Sequence, residues 1–492
     1  MHDVTHQMPP RQIVTGETSP ALSTGSPEHI GFKGLVYVMA IASVAAIGGF
    51  LFGFDSGVIN GAVNAISKSF GTQSAGTGFA VASVLIGCAV GAFGAGTLAD
   101  VMGRRRTMLL TAIIFLISAL TTGAAGTATI FIIARIASGL AIGAASVLAP
   151  MYISEVAPPR LRGRLSSLQQ LAIVLGLFFA FLSNYLIAHA VGGASAIFWL
   201  GKPAWRWMFW METLPSSAFL LGLMLIPDSP RYLITAGKIE QARRIFARIG
   251  GDADALVANV EKTVRGEHRP RLSDLIDSKS RFLVPVVWTG IGLAAFQQFV
   301  GINVIFYYGA ILWQAAGASE QGALRINLLT GGVNIAATFL AIGLIDRIGR
   351  KPLLVIGSIC MIATLVTMAA VFATAGASAT GKPVLSHAAG LIGLSAANLY
   401  ILAFGVSWGP VMWVLLGEMF PNRLRGAALA VCGATNWAAN FAVTVTFLPL
   451  LRGAGMAWAY GLYAAAAALS LPFVWLAVRE TKGKTLEEMS SN

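Results

Sequence analysis

Three ionisable side chains, Asp55, Arg135 and Glu212, stand inside long apolar stretches of this 492-residue chain. A charge held within a bilayer costs about 3 kcal/mol or more unless it is paired or wetted, so each marks a functional position. Counted along helices from the nearest charged loop at ~1.5 Å per residue, they lie roughly 33, 30 and 24 Å deep, in one layer. Two acids and one base leave a single net negative charge, which one bound proton cancels. That is the chemistry of a proton-coupled carrier. The competing reading is a static Asp55–Arg135 pair that fixes helix packing, with Arg206 as an alternative partner for Glu212.

The later apolar segments carry neutral polar groups instead: Gln297, Gln298, Asn303, Asn334, Asn436 and Asn440, with Tyr307, Tyr308, Trp413 and Trp437. Amides both donate and accept hydrogen bonds, and aromatic faces pack on the C–H faces of a sugar ring. A polyhydroxylated ligand suits such a lining, whereas an anion calls for Lys or Arg. Amides in membrane helices also join helices to one another, but two adjacent glutamines and an asparagine on one span weaken that reading collectively.

These residues need membrane helices to position them. Apolar residues make up 56% of the chain and charged residues 11%, with a mean hydropathy of +0.73. A soluble domain carries about 25% charged residues. Twelve apolar stretches approach or exceed the ~20 residues needed to cross a bilayer, at about 33–58, 77–98, 107–125, 128–150, 165–190, 206–226, 282–312, 325–345, 353–375, 387–417, 427–450 and 455–478. The expected fold is therefore an all-α membrane protein of twelve transmembrane helices in two six-helix bundles, residues 31–226 and 282–478. Residues 1–30, rich in Ser, Thr and Pro, read as a disordered tail. Residues 227–281 read as a cytoplasmic helical linker and 479–492 as a cytoplasmic C-terminal tail. Within the linker, Ile239, Ala242, Ile245, Phe246 and Ile249 fall on one helical face.

The halves repeat each other. Glu155-Val-Ala-Pro-Pro-Arg-Leu-Arg162-Gly163 returns as Glu418-Met-Phe-Pro-Asn-Arg-Leu-Arg425-Gly426, Asp100-Val-Met-Gly-Arg104 as Asp346-Arg-Ile-Gly-Arg350, and Asp228-Ser229 as Glu480-Thr481. Each pair is separated by about half the chain, as in transporters built from two related bundles. Asp100, Arg104, Glu155, Arg162 and Asp228 in one half, and Asp346, Arg350, Glu418 and Arg425 in the other, are expected to form ion-pair networks at the helix ends. There they latch the halves in one state and part in the other. Gly49, Gly53, Gly57 and Gly61 line one face of the first helix, which suits close helix packing or a backbone approach to a ligand path.

The net charge of +13 raises the question of nucleic acid, but most Lys and Arg fall in loops on one side of the expected membrane. That asymmetry orients a membrane protein with both termini cytoplasmic. Cys88, Cys360 and Cys432 lie in apolar segments without disulfide or metal spacing, and the histidines form no cluster. No cofactor or metal is expected. The absence of a G-x-x-x-x-G-K-[ST] motif argues against an ATP-driven pump.

The chain resembles the sugar porter family of the major facilitator superfamily over about residues 33–489. The resemblance rests on Gly49-Phe-Leu-Phe52-Gly-Phe-Asp55-Ser-Gly57, Leu98-Ala-Asp100 through Arg106, Pro150-Met-Tyr-Ile-Ser-Glu155, Pro227-Asp-Ser-Pro-Arg231, Gln297-Gln298-Phe-Val-Gly301-Ile-Asn303 and Glu480-Thr-Lys-Gly-Lys-Thr-Leu-Glu-Glu488. It implies the major facilitator fold and carriage of a monosaccharide, hexose or pentose, across a bacterial inner membrane by alternating access, with the protein working as a monomer. By motif position it implies that Gln170, Gln297, Gln298, Asn303, Asn334, Trp413 and Asn436 contact the sugar, and that Phe52, Tyr307 and Trp437 line or close the pocket. Asp55 stands where proton symporters of the family carry an acid and facilitators carry Asn. Arg135 is then its charge partner, and Glu212 an acid implicated in coupling. Leu177 and Asn436 replace glutamines of xylose-type relatives, which brings the second position closer to hexose carriers. An uncoupled facilitator, a non-transporting sugar sensor and a membrane enzyme are the rival readings. A sensor is expected to carry a long signalling tail, and an enzyme a nucleophile, metal cluster or nucleotide motif.

Overall fold

In lipid, every backbone polar group must find its partner within the chain, and a helix achieves this within one segment. The computed structural model obeys that rule. It describes residues 31–158, 161–250, 252–266, 272–276, 282–377 and 383–482. The expected tail at 1–30 and the end of the 479–492 segment fall outside these residues, as does the side chain of Arg162.

The first half contains α1 (Phe32–Phe70), α2 (Ser74–Met102), α3 (Arg104–Ala124), α4 (Ala128–Val156), α5 (Arg162–Val191), α6 (Ala204–Trp210) and α7 (Thr213–Leu225). The linker carries α8 (Pro230–Thr235), α9 (Ile239–Ile249) and α10 (Ala253–Gly266). The second half contains α11 (Pro285–Phe299), α12 (Ile302–Ala315), α13 (Glu320–Ile348), α14 (Arg350–Ala373), α15 (His387–Val406), α16 (Trp408–Met419), α17 (Asn422–Gly453) and α18 (Met456–Ala477). A two-stranded antiparallel hairpin, β1 (Gly376–Ala377) and β2 (Pro383–Val384), joins α14 to α15. With α6–α7, α11–α12 and α15–α16 each forming one span, the described residues hold 12 helices long and apolar enough to cross a membrane.

Several expected spans are altered in ways that matter for function. The first does not stop near residue 58 but continues to Phe70, where Gly71 closes it in the left-handed conformation (φ 62°). Two spans expected to be continuous are broken, at Val300–Gly301 and at Ser407, and a third loosens its hydrogen bonding at Met211–Glu212 while keeping helical backbone angles. Gly301 sits at φ 83° against the Tyr463 ring, a position open only to a residue without a Cβ. In α9, Ala242, Ile245, Phe246 and Ile249 are buried as expected, while Ile239 is 37% exposed because it occupies the first turn.

Glycines set the close packing of α1 on α5. A Cβ on Gly53 would collide with the Ile173 carbonyl of α5, and Gly49, Gly57 and Gly61 meet Gln169, Ala180 and Asn184 along the same seam. The glycine face of α1 is thus a packing face against α5.

The halves touch through α2 with α17, α5 with α13 and α1 with α12. Their hydrogen bonds gather at the end away from the linker. Asn60 of α1 donates to the carbonyls of Phe306 (2.8 Å) and Ile305 (3.4 Å), and accepts from the Ala310 N–H (2.9 Å) and the Asn327 amide (2.8 Å). Asn64 bonds Gln314, the Ala194 N–H bonds Glu320, and Arg325 bonds the Tyr185 hydroxyl. At the linker end the ion pairs of Arg104 and of Arg350 are each internal to one half.

Candidate functional site

α1 and α4 lie on either side of the first buried site. Asp55 and Arg135, each about 1% exposed, form an ion pair, and the Ser138 hydroxyl donates to Asp55 Oδ1 at 2.9 Å. The Arg135 guanidinium also lies 5.8 Å from the Phe209 ring centroid. Glu212, 2% exposed at the α6–α7 junction, is within electrostatic reach of both partners. The three ionisable groups expected in one layer are therefore one cluster. Its asymmetry is chemical: Glu212 Oε1 and Arg135 Nε have no hydrogen-bond partner.

Arg206 is not the partner of Glu212. Its Nη1 donates to the Gly123 carbonyl at 2.8 Å and its guanidinium stacks 4.5 Å from the Trp205 ring centroid. Its place at the start of α6, nearly two turns before Glu212, keeps it at the helix end where it reaches a carbonyl and an aromatic face.

The second buried site forms where the spans of the second half break. Gln297 Nε2 donates to the carbonyls of Trp408 (3.0 Å) and Gly409 (3.2 Å), which the interruption between α15 and α16 places within its reach. Gln298 Nε2 donates to Gln297 Oε1 and to Asn436 Oδ1, each at 3.2 Å. Asn303, just past the α11–α12 break, donates to Gln298 Oε1 at 2.6 Å. Asn436 Nδ2 donates to Gln297 Oε1 (2.7 Å) and the Ala294 carbonyl (3.1 Å). Four of the expected sugar-contacting amides thus hold one another in a network whose remaining donor and acceptor capacity is available to hydroxyls.

The aromatic residues divide. Phe52 of α1 meets Trp437 of α17 edge-on across the two halves, with centroids 5.6 Å apart. Tyr307 is buried beside Asn440 and Ser56. Tyr308 instead has its hydroxyl on the Thr444 carbonyl at 3.0 Å, a helix-to-helix bond. Asn334 is buried near Gly405. Gln170 is partly exposed on α5, and Trp413, 43% exposed on α16, stands outside the amide network.

At the linker end the sequence repeat becomes a geometric one. Arg104 meets Glu155 through Nε and Nη2 (both 3.0 Å) and Asp100 through Nη1 (3.0 Å), while Nη1 also donates to the Ala99 carbonyl. Arg350 repeats this with Glu418 (3.1 and 2.8 Å), Asp346 (3.1 Å) and the Ile345 carbonyl. Asp228 accepts from the Arg105 and Ser229 N–H groups, as Glu480 does from Arg350 and Lys351. Gly103 and Gly349, at φ 94° and 103°, leave room for these carboxylates beside the starts of α3 and α14. Burial alone would raise the Glu480 pKa, but N–H donors from Lys482, Arg350, Lys351 and Thr481 outweigh it and hold the carboxyl below its ordinary range. Arg425 departs from the expected pairing: its guanidinium folds back onto the Phe420 carbonyl at the start of its own helix (3.1 Å).

Sequence reasoning missed Ser138, Phe209 and Asn60. A serine three residues after Arg135 on α4, and an asparagine five residues after Asp55 on an apolar helix, were the available signals. The facing carbonyls and rings were not.

The residues from 41 to 492 match the family model described as "Sugar (and other) transporter". The chain is 52% identical over 455 residues to a glucose transport protein of Synechocystis, covering 92% of this chain and 97% of that protein. It is 37% identical over 487 residues to the D-xylose–proton symporter of Escherichia coli, covering 92% and 95%. The inward-open structure of the E. coli xylose transporter superposes with a TM-score of 0.79 at 34% identity, over 92% of this chain and 99% of that one. The same symporter bound to 6-bromo-6-deoxy-D-glucose gives 0.75 at 36% identity, over 93% and 99%. Two half-chain repeats, twelve spans, an amide network at broken helices and near-full-length matches of this depth agree on one assignment, and the chain belongs to the sugar porter family of the major facilitator superfamily, a family of transporters rather than enzymes.

Proposed function

We propose that this protein carries a glucose-type monosaccharide across a bacterial inner membrane in symport with a proton, by alternating access of the two halves. The observation that carries the coupling is the buried Asp55–Arg135–Glu212 cluster, in which one carboxylate oxygen of Glu212 has no partner. With all three groups ionised the cluster carries one net negative charge; protonation of an acid makes it neutral. A neutral Asp55 releases Arg135 and frees α1 to move against α4. The amides Gln297, Gln298, Asn303 and Asn436 bind sugar hydroxyls, with Gln170, Asn334 and Trp413 completing the lining as the halves close. Phe52, Tyr307 and Trp437 cover the ring. Asn436, and the glucose transport relative at 52% identity, favour a hexose over a pentose.

In this reading the linker end is cytoplasmic, and the structure corresponds to the state open to that side. The two ion-pair networks of Arg104 and Arg350 then engage across the halves, with Arg162 and Arg425, only when the linker end closes. Several such pairs at the helix ends suffice together to bias such an equilibrium.

The test is uptake of labelled hexose and pentose into proteoliposomes with and without an imposed pH gradient. Asp55→Asn is expected to retain sugar binding and equilibrative exchange while losing gradient-driven accumulation. Accumulation by that variant against a concentration gradient would remove Asp55 from the coupling. The second reading, an uncoupled facilitator, follows from the same pair: an Asp55 held permanently by Arg135 and Ser138 never titrates. It predicts that wild-type uptake ignores the pH gradient altogether.

A further inference from the structure

A cavity of about 450 Å³ opens at the linker end, between the start of α1, the start of α3, the end of α7 and the linker helices α8 and α9. That volume lies within the ~300–1,000 Å³ of small-molecule sites. It is separate from both buried clusters described above.

Its chemistry is one-sided. Arg105, Arg106, Lys238, Arg244 and Arg248 line it, with Asp228 as the one acid. Asp228 is already occupied by the Arg105 and Ser229 N–H groups, and Arg105 by the carbonyls of Leu223 and Met224 that end α7. Arg244 has only a loose contact with Glu240, at 3.5 Å. Arg106, Lys238 and Arg248 have no carboxylate partner among the described residues. Their side chains are exposed, and they border one concavity from α3, the α8–α9 turn and α9, where their positive potentials add.

The rim supplies the second observation. Met224 and Leu225, 53% and 86% exposed, end the sixth span and stand at the mouth of the cavity, where the membrane surface meets the linker. Tyr37 and Gln241 add neutral hydrogen-bonding groups to the wall. We propose that this cavity binds a phosphate-ester anion, with the phosphate held by Arg106, Lys238 and Arg248 and its organic part lying along Met224 and Leu225. An anionic phospholipid headgroup and a soluble phosphate ester share this chemistry. A ligand here ties α9 to the first half and so bears on how the linker moves with it.

The experiment uses the full chain in detergent, with native mass spectrometry for lipid adducts and calorimetry for inorganic phosphate and glucose 6-phosphate. Wild type is compared with the triple variant R106Q/K238Q/R248Q and with the charge-preserving R106K/R248K. Sugar binding serves as the folding control, since none of the three residues belongs to the sugar or proton site. Retention of phosphatidylglycerol over phosphatidylcholine, weakened about fivefold per charge removed and restored in the Lys variant, supports a lipid headgroup. The same charge dependence for a soluble phosphate but not for the lipid supports a free phosphate ester. Equal binding by wild type and the triple Gln variant, or binding of neither ligand class by folded wild type, overturns the proposal.

Discussion

At the scale of single residues, the polar groups fall into two sets that differ in what they hold. The ionisable ones hold each other, and the amides hold backbone freed by helix breaks. Gln298 is the junction of the amide network, touching Gln297, Asn303 and Asn436. Under the proposed function, Gln298→Ala removes a sugar-binding amide, and it leaves Asn303 without its acceptor. An unsatisfied buried group costs about 1–3 kcal/mol, so sugar affinity is expected to fall roughly tenfold to a hundredfold. Equilibrium binding of labelled sugar measures it, and unchanged affinity excludes Gln298 from the site. The ionisable cluster was legible in the sequence because charge within apolar runs has few explanations. Ser138 and the true environment of Arg206 were not, because a serine or a helix-end arginine is common in membrane helices and only its neighbours give it meaning.

At the scale of elements, the glycine seam between α1 and α5 and the capping of α14 each carry a test. Gly53→Ala places a methyl group against the Ile173 carbonyl, where backbone, not a flexible side chain, must give way. Overpacking of this kind costs about 1–3 kcal/mol, and a lowered thermal unfolding midpoint in detergent is expected. Ala at Gly94, where nothing stands within 4 Å of a Cβ, is the neutral control. At α14, the folded pKa of Glu480 lies below its unfolded value. Its contribution to stability is therefore complete above the ordinary carboxylate range and is lost as pH falls through the lower folded value. Glu480→Gln should lower the midpoint at neutral pH and flatten its decline on acidification; parallel pH curves for variant and wild type would contradict the assignment. The helices themselves were legible from apolar run length and the α9 face from its periodicity. The interruptions were not drawn from the sequence, although Gly301 and the Gly409-Pro410 pair mark two of them; how the chain turns there depends on what packs against it.

For the whole molecule, hydrogen bonds join the halves at the end away from the linker, while the ion pairs of Arg104 and Arg350 at the linker end stay within one half each. Asn60 is the centre of that junction, with four hydrogen bonds into the second half. Asn60→Leu keeps the approximate volume, removes all four hydrogen bonds and leaves the Asn327 amide without its acceptor. A loss of about 2–3 kcal/mol from one state only shifts a two-state carrier by roughly thirtyfold to a hundredfold. Distances between spin labels at the far ends of α1 and α12 are expected to lengthen in this variant. If the distance distribution is unchanged, Asn60 does not control closure.

The sequence by itself determined that the chain spans a membrane twelve times, that its halves repeat, and which ionisable and amide side chains lie within its apolar runs. Those follow from transfer free energies and hydrogen-bonding capacity, which belong to residue types and to their spacing along one chain. Only the tertiary structure decided that Asp55 pairs with Arg135 while Glu212 keeps an unpaired oxygen, that Gln297 meets the carbonyls of a broken helix more than a hundred residues away, and that the repeated charges pair within each half. Those depend on distances between helices, which close packing and interrupted spans set jointly and which no single segment encodes.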